Sequence, residues 1–161
     1  MCRTNGSNLP VSLISIGDKA FNGCKGIVSV SISKAVSSIG KSAFINCSQL
    51  MAGTGGPENM GYSSLNGVLY DKQQTTLLLY PKGKGDNYDI PVSVNAIGDY
   101  AFYGTNLTSV TFSKSIVSIG AYAFADCSDL SELNLPEIWK LLAMMRLSIV
   151  QDWRSWFFLI K

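Results

Sequence analysis

Residues 90–112 read IPVSVNAIGDYAFYGTNLTSVTF, and the hexapeptide Ile-Gly-x-x-Ala-Phe at their centre decides the fold. The same hexapeptide starts at Ile16, Ile39, Ile97 and Ile119, in steps of 23, 58 and 22 residues. Self-similarity at a period of roughly 20 to 50 residues indicates a repeat protein. We therefore divide the chain into repeats near residues 9–32, 33–50, 90–112 and 113–135.

Apolar residues recur around each hexapeptide and predict how a repeat folds. An L-x-x-L-x-L pattern follows it, which in the third copy is Leu107, Val110 and Phe112. This alternation predicts one short strand per repeat. A single repeat cannot bury its own apolar side, so stacked repeats share a core and pair their strands in a parallel sheet. The hexapeptide glycines allow a turn or a close approach that a Cβ would block. We predict that the hexapeptide aromatic rings stack as a ladder: Phe21, Phe44, Phe102 and Phe124.

Between the second and third repeats the chain departs from this pattern over residues 51–89. Residues 51–64 are rich in glycine and are interpreted as a loop. Two strand-like runs follow at residues 67–70 and 76–80, with residues 71–74 between them as a turn. We predict a β-hairpin insertion that continues or caps the sheet, after which Ile90 and Pro91 re-enter the repeat.

These residues resemble the BspA-type leucine-rich repeats of bacterial surface proteins over about residues 9–137. The third repeat carries the family pattern in one unbroken run: Ile90, Pro91, Val94, Ile97, Gly98, Ala101, Phe102, Leu107, Val110 and Phe112. The resemblance implies a mainly β, right-handed leucine-rich-repeat solenoid with a parallel sheet. It also implies an extracellular or cell-surface adhesin that binds host or neighbouring-cell proteins, of the extracellular-matrix type. The family has no catalytic residues to carry over.

Composition limits the other function classes. Hydrophobic residues make up 47% of the chain and charged residues 15%, so the chain can bury a core and does not have the composition of a disordered one. The net charge is +2 without a basic cluster, so we expect no nucleic-acid binding. The absence of histidine removes the commonest general base and many metal sites. We expect no enzyme, no cofactor and no metal site.

The candidate binding residues are those that point outward from the predicted strands. In a leucine-rich solenoid such residues line one continuous sheet face, the usual place for partner binding. They are Ser29, Ser31, Ser109, Thr111, Glu132 and Asn134. The competing interpretation is a plain solvated surface. Tyrosines are enriched at interfaces and add candidate anchors, although we expect most of the seven to be half-buried packing residues.

Two motifs have both a chemical and a structural interpretation. Cys24, Cys47 and Cys127 occupy the same repeat position, which leaves open a Cys24–Cys47 disulfide or a metal site. We favour buried free thiols, since cysteine is among the most buried residue types. Residues 35–42 differ from a phosphate-binding P-loop at one position, yet we interpret Gly40 as the repeat glycine and Lys41 as a variable exposed residue.

The chain ends do not follow the repeat. The first ten residues are polar and lack the apolar run of a secretory signal. The apolar tail, residues 138–161, has three interpretations: a helical cap over the solenoid, which we favour; interfacial membrane contact; or a product of a shifted reading frame. For the whole chain we expect a protein-binding, adhesin-like module from a larger secreted protein, with a structural spacer as the alternative. The sequence does not indicate an oligomeric state.

Overall fold

The computed structural model describes residues 7–136, which form a β-solenoid of about five turns with no helix among them. The proposed helical cap over residues 138–161 lies outside the described residues. Within the described residues thirteen strands follow one another: β1 (Ser7–Asn8), β2 (Ser15–Ile16), β3 (Ser29–Ile32), β4 (Ser38–Ile39), β5 (Ala52–Gly55), β6 (Tyr62–Leu65), β7 (Val68–Asp71), β8 (Thr76–Leu79), β9 (Asn87–Asp89), β10 (Ala96–Ile97), β11 (Ser109–Thr111), β12 (Ser118–Ile119) and β13 (Glu132–Asn134).

The L-x-x-L-x-L segments form parallel ladders, as predicted. Strands β1, β3 and β5 form one three-stranded sheet, and β9, β11 and β13 form another. In β3 the side chains alternate, with Val30 and Ile32 buried and Ser29 and Ser31 exposed. The alternation puts one aliphatic row into the core and leaves a polar row on the outer face.

A second set of parallel ladders runs through the hexapeptides. Strands β2 and β4 pair with each other, while β8, β10 and β12 belong to a five-stranded sheet in the order β12-β10-β8-β7-β6. The predicted aromatic stacking is confirmed within two separate stacks, and the single ladder of four rings is not. The rings of Phe21 and Phe44 stack at 5.2 Å, and those of Phe102 and Phe124 at 4.6 Å. Tyr80 extends the second stack, since its ring lies 5.2 Å from that of Phe102.

Close packing between coils explains two of the hexapeptide glycines. A Cβ on Gly40 would lie 2.3 Å from the backbone nitrogen of Asp18, and one on Gly120 would lie 2.5 Å from that of Asp99. No Cβ fits at such distances, so glycine is required where one coil crosses the preceding coil. Gly17 shows the contrast, because nothing lies within 4 Å of its Cβ position.

The predicted hairpin is confirmed, but it has one strand more than expected. Strands β7 and β8 are antiparallel, and β6 pairs with β7 through a two-residue turn at Asn66 and Gly67. Both turn residues have positive φ, 50° and 77°, as a tight hairpin turn of this type requires. The loop interpretation of residues 51–64 is wrong for β5 and for the start of β6. Strand β5 forms because its backbone pairs with β3 in parallel, despite its glycine-rich sequence.

The core is divided at the hairpin. One cluster lies under β1–β5 and the other under β8–β13, and the buried side chains of β7 contribute to both: Leu69 to the first, Val68 and Tyr70 to the second. Asn59 is fully buried between the second repeat and the hairpin. Its side-chain amide donates to the carbonyls of Ser33 and Val36 at 2.6 and 2.9 Å. Its carbonyl oxygen accepts from the amides of Gly61 and Tyr62, at 2.8 Å each.

The prediction of buried free thiols holds for one of the three repeat cysteines. Cys47 is buried and free, and its thiol donates to the carbonyl of Phe21 at 3.1 Å. Cys127 is also free but only half-buried. Cys24 is disulfide-bonded, so the prediction is wrong there. The Cys24–Cys47 pairing is also excluded, because Cys47 uses its thiol in the ladder hydrogen bond.

Candidate binding surface

The six predicted binding residues lie on outer faces of strands, but in two sheets. Ser29 and Ser31 belong to β3, whereas the other four belong to β11 and β13: Ser109, Thr111, Glu132 and Asn134. The two sheets are not hydrogen-bonded to each other, because the hairpin interrupts the ladder between β5 and β9. The chain therefore offers two polar faces where the sequence predicted one continuous face.

The face of β9, β11 and β13 is a regular grid of six side chains. One row joins Asn87, Ser109 and Glu132, and the second joins Asp89, Thr111 and Asn134. Neighbouring strands lie about 4.8 Å apart, and residues two apart on a strand lie about 6.6 Å apart, so the grid measures roughly 10 by 7 Å between Cα atoms. The five side chains other than Ser109 are exposed, and Ser109 is half-buried. We name these six residues the grid face.

Hydrogen bonds hold one corner of the grid face in place. The side-chain oxygen of Asn87 accepts from the hydroxyls of Thr108 and Ser109, at 2.8 and 2.9 Å. Thr108 also donates through its hydroxyl to the carbonyl of Asp86, at 3.0 Å. Ordered polar side chains on a flat sheet lose little conformational entropy when a partner binds. The Asn87 corner of the grid face is therefore already ordered before a partner binds.

The grid face is acidic. Asp89 and Glu132 stand at diagonally opposite corners, and neither forms a salt bridge with any residue of the described range. No basic side chain belongs to the grid. Two unpaired carboxylates on a polar sheet favour a partner that offers basic side chains or amide donors.

The face of β3 and β5 is neutral and less polar. Ser29 pairs in register with Ala52, and Ser31 with Thr54. The hydroxyl of Thr54 turns back to the carbonyl of Val30, at 3.3 Å, so it is engaged within the sheet. This face offers two serine hydroxyls and no charge, which gives a partner fewer strong contacts than the grid face.

Asn87 and Asp89 were missing from the predicted binding residues. Strand β9 lacks the L-x-x-L-x-L pattern, and its turn residues resemble a loop. The sequence feature that could have revealed β9 is the alternation of Tyr88 and Ile90. These two residues occupy, one repeat before, the positions that Val110 and Phe112 hold in the third repeat. That alternation predicts a strand with Asn87 and Asp89 on its outer face.

Most tyrosines pack as expected. Tyr70 and Tyr80 are buried, and the hydroxyls of Tyr70 and Tyr88 hydrogen-bond to each other. Burial, with the bond to Tyr70, raises the pKa of the Tyr88 phenol well above its usual value. Tyr122 is the tyrosine with a largely exposed side chain within residues 9–136, at 41%.

The P-loop-like segment serves repeat packing. Gly40 lies against Asp18, whose carboxylate accepts from the backbone amide of Lys41 at 2.7 Å. The Lys41 ammonium pairs with the Asp99 carboxylate at 2.8 Å. This hydrogen bond and the opposite charge lower the pKa of Asp99. Across residues 7–136 no group of three or more potential metal ligands comes together.

Comparison with known sequences identifies the repeat. The BspA type Leucine rich repeat region matches the chain in six copies, over residues 1–54 and 82–144. The chain belongs to this family. The match starts before residue 9 and continues past residue 137, the bounds that the sequence pattern predicted. It leaves out residues 55–81, which hold β6, β7 and β8, so the hairpin lies outside the BspA-type repeats.

Solved structures share the BspA-type solenoid. The chain resembles the pneumococcal vaccine antigen PcpA, with a TM-score of 0.70 and 28% identity over 78% of this chain and 31% of that one. It also resembles a leucine rich cell surface protein from Faecalibacterium prausnitzii, with a TM-score of 0.69 and 32% identity over 78% of this chain and 34% of that one. A leucine-rich repeat protein from Eubacterium ventriosum is also similar, with a TM-score of 0.62 and 27% identity over 75% of this chain and 39% of that one. This chain thus spans about a third of their length.

A search of curated proteins gave no match. Within the described residues, no helix has the length and apolar character needed to cross a membrane.

Proposed function

We propose that this BspA-type solenoid is a protein-recognition module of a cell-surface protein and that it binds its partner through the grid face. The observation that carries the proposal is the grid itself. Six polar side chains lie in register on three parallel strands, and the two carboxylates among them have no partner within residues 7–136. A sheet face that is ordered, polar and unpaired suits binding to another protein surface.

The similar structures support the surface location. One is described as a leucine rich cell surface protein and another as a pneumococcal vaccine antigen. We propose the same location for this chain, with host extracellular-matrix proteins as the partner class and an adhesin-like role. The two grid carboxylates favour a partner with a basic patch. No catalytic role is proposed, because the grid contains no nucleophile paired with a base.

The test is direct binding of the full chain to purified collagen, fibronectin and laminin. The variant Asp89→Asn with Glu132→Gln removes both grid charges, and Glu58→Gln is the matched control on an exposed residue far from the grid. We expect the double variant to weaken binding by about tenfold, mainly through slower association, and the control to bind like the parent chain.

The alternative role is a spacer that extends another domain. In that role the repeats bind no partner of their own. If none of these proteins, nor an extract of host surface proteins, is retained by the full chain, the recognition role is refuted. Equal losses in the double variant and in Glu58→Gln would locate binding away from the grid face.

A further inference from the structure

A cavity of about 240 Å³ lies where the hairpin interrupts the hexapeptide ladder. One wall is the hexapeptide turn of the second repeat, residues 39–46. The opposite wall is formed by β8, by Tyr80 and by the turn of the third repeat. Lys41 and Asp99 form a salt bridge at 2.8 Å from one wall to the other. We name this cavity the ladder cleft.

The ladder cleft forms because the coil that contains β8 has fewer residues here than a regular repeat has. In a regular repeat the hexapeptide runs from isoleucine to phenylalanine, as from Ile97 to Phe102. In the hairpin coil Leu77 pairs beside Ile97, and Tyr80 stacks beside Phe102. Residues 77–80 thus cover the distance with two residues fewer than residues 97–102. The missing residues are those that would lie against the second repeat.

Regular coils pair the amides of the hexapeptide turn with the next coil. The first repeat donates to carbonyls of residues 41, 43 and 45, at N···O distances of 3.2, 2.8 and 2.9 Å, from Lys19, Phe21 and Gly23. The third repeat donates to carbonyls of residues 121, 123 and 125, at 3.0, 2.8 and 2.8 Å, from Tyr100, Phe102 and Gly104. In both repeats the donors and the acceptors are backbone groups on alternate residues.

In the second repeat the equivalent amides are unpaired. They belong to Ser42, Phe44 and Asn46, and none has a hydrogen-bond partner within residues 7–136. All three residues line the ladder cleft. By equivalence with the first repeat, their N–H groups point along the solenoid axis, away from the first coil and into the cleft. Three aligned amides next to an apolar cavity form a strong, unused set of donors.

The aromatic ladder is broken at the same place. Phe44 stacks on Phe21 with one face of its ring, at 5.2 Å. Tyr80 begins the other stack, and within the described residues no ring contact joins it to Phe44. Leu50, Leu69 and Leu79 also line the cavity. The space between the two stacks is therefore suited to an apolar or aromatic side chain.

We propose that the ladder cleft binds a segment of a partner protein that adopts the turn of a hexapeptide coil and carries one aromatic side chain. Carbonyls on alternate residues of that segment accept from the amides of Ser42, Phe44 and Asn46, as the carbonyls of a neighbouring turn do in the regular coils. The aromatic ring enters between Phe44 and Tyr80 and completes the stack. In the regular coils three carbonyls on alternate residues of a turn accept from these amides, and a small molecule would seldom present three acceptors in that arrangement. This site is separate from the grid face, so either proposal can fail without the other.

The test is amide hydrogen exchange, followed by NMR on the labelled full chain. The probe is the acetylated and amidated peptide Gly-Asp-Tyr-Ala-Phe-Tyr-Gly, which copies residues 98–104 and supplies the acceptors of a regular coil. We expect saturating peptide to slow exchange at the amides of Ser42, Phe44 and Asn46 by about tenfold or more. The amides of Phe21 and Gly23 are already paired and should not change. A control peptide with alanine in place of phenylalanine should protect much less.

A matched pair of variants makes the test specific. Ser42→Tyr introduces at the cleft the residue that the third and fourth repeats carry at this position, with the same left-handed backbone: φ is 53° at Ser42, 58° at Tyr100 and 56° at Tyr122. The change should abolish the protection by blocking the cleft mouth. Lys19→Tyr makes the same substitution in the first repeat, at φ 56°, and should leave the protection intact.

Three results would overturn the proposal. The first is strong protection of the three amides in the free chain, which would mean that they are already paired. The second is no protection with millimolar peptide. The third is protection that survives in Ser42→Tyr, or peptide-induced shifts at side chains without any amide protection, which would indicate apolar binding without the backbone hydrogen bonds.

Discussion

The third and fourth repeats, residues 90–135, and the hairpin segment, residues 56–86, differ in where their backbone hydrogen bonds go. In the repeats the bonds run from coil to coil, as from the amide of Gly120 to the carbonyl of Ile97 at 2.8 Å. In the hairpin β6 and β7 pair locally, with Leu65 opposite Val68 across a two-residue turn, while β8 pairs with β10 of the next coil. A repeat therefore depends on its neighbours, whereas the hairpin brings its own pairing but leaves the adjacent coil incomplete.

The aromatic ladder should give the largest effect that separates the two regions. Phe102 is fully buried and stacks on rings at both sides, Tyr80 and Phe124. Phe102→Ala should lower the free energy of unfolding by about 3–5 kcal/mol, and Phe44→Ala should fall at the lower end of that range because its ring stacks on one side. Urea denaturation of both variants checks the order. A loss below about 1 kcal/mol at Phe44 would contradict the ladder.

Asn59 tests how the hairpin is attached. Asn59→Ala removes four hydrogen bonds from a fully buried site and leaves the carbonyls of Ser33 and Val36 without their donor. We expect a loss of about 3 kcal/mol, since each unsatisfied buried group costs about 1–3 kcal/mol. Asn22→Ala is the control, because that asparagine is exposed and shares one 3.2 Å bond with Asn46. Similar unfolding midpoints for the two variants would show that Asn59 does not anchor the hairpin.

The glycines test the crossing of one coil over the next. Gly40→Ala places a Cβ 2.3 Å from the Asp18 nitrogen, whereas Gly17→Ala meets nothing within 4 Å. Overpacking of this kind costs about 1–3 kcal/mol, so we expect a loss near 2 kcal/mol at Gly40 and almost none at Gly17. The thermal unfolding midpoints of the two variants, compared with that of the parent chain, measure the difference. Equal losses at both positions would mean that the coils do not cross as described.

The smallest expected effect lies in the turn between β7 and β8. The Asp71 carboxylate accepts from the amide and the hydroxyl of Thr75, at 2.7 Å each. Partial burial acts to raise the pKa of Asp71, but hydrogen bonds from Thr75 and Thr76 together lower it below its usual value. The stabilisation is therefore present above the unfolded-state pKa and is lost as the pH falls through the folded-state pKa.

Asp71→Asn should cost under about 1 kcal/mol at pH 7, since the group is largely solvated. The difference from the parent chain should shrink as the pH approaches 3 or below. Unfolding curves at several pH values measure it, with Asp129→Asn, in an exposed turn, as control. A difference that stays constant down to low pH would assign the effect to geometry and not to the charge of Asp71.

The repeats were predictable from the sequence because the hexapeptide that identifies each one is a short pattern that recurs. Each Ile-Gly-x-x-Ala-Phe carries its own glycine and its own ring, so the stacks of Phe21 with Phe44 and of Phe102 with Phe124 followed from the spacing. Strand β5 was not predictable in this way. Its sequence, Ala-Gly-Thr-Gly, has low strand propensity, and it becomes a strand because β3 offers it an open edge. The Asn66-Gly67 turn was a readable hairpin signal that the glycine-rich context concealed.

Four of the six residues of the grid face could be predicted, and the separation of this face from β3 could not. Ser109, Thr111, Glu132 and Asn134 follow from alternation within recognisable strands. To predict Asn87 and Asp89, one has to recognise that Tyr88 and Ile90 occupy positions where other repeats have aliphatic residues. The break between β5 and β9 depends on the length of the hairpin coil, a property of the packed structure that alternation does not encode. The disulfide at Cys24 likewise has no signal in the repeat position that it shares with Cys47.

Surface plasmon resonance of the full chain and of two equivalent variants on collagen, fibronectin and laminin tests whether the grid face recognises the partner. Thr111→Arg alters the centre of the grid face, and Ser31→Arg makes the corresponding change on β3. We expect Thr111→Arg to weaken binding by about tenfold or more and Ser31→Arg to leave it nearly unchanged. Retained binding in Thr111→Arg, or a greater loss in Ser31→Arg, would contradict recognition through the grid face.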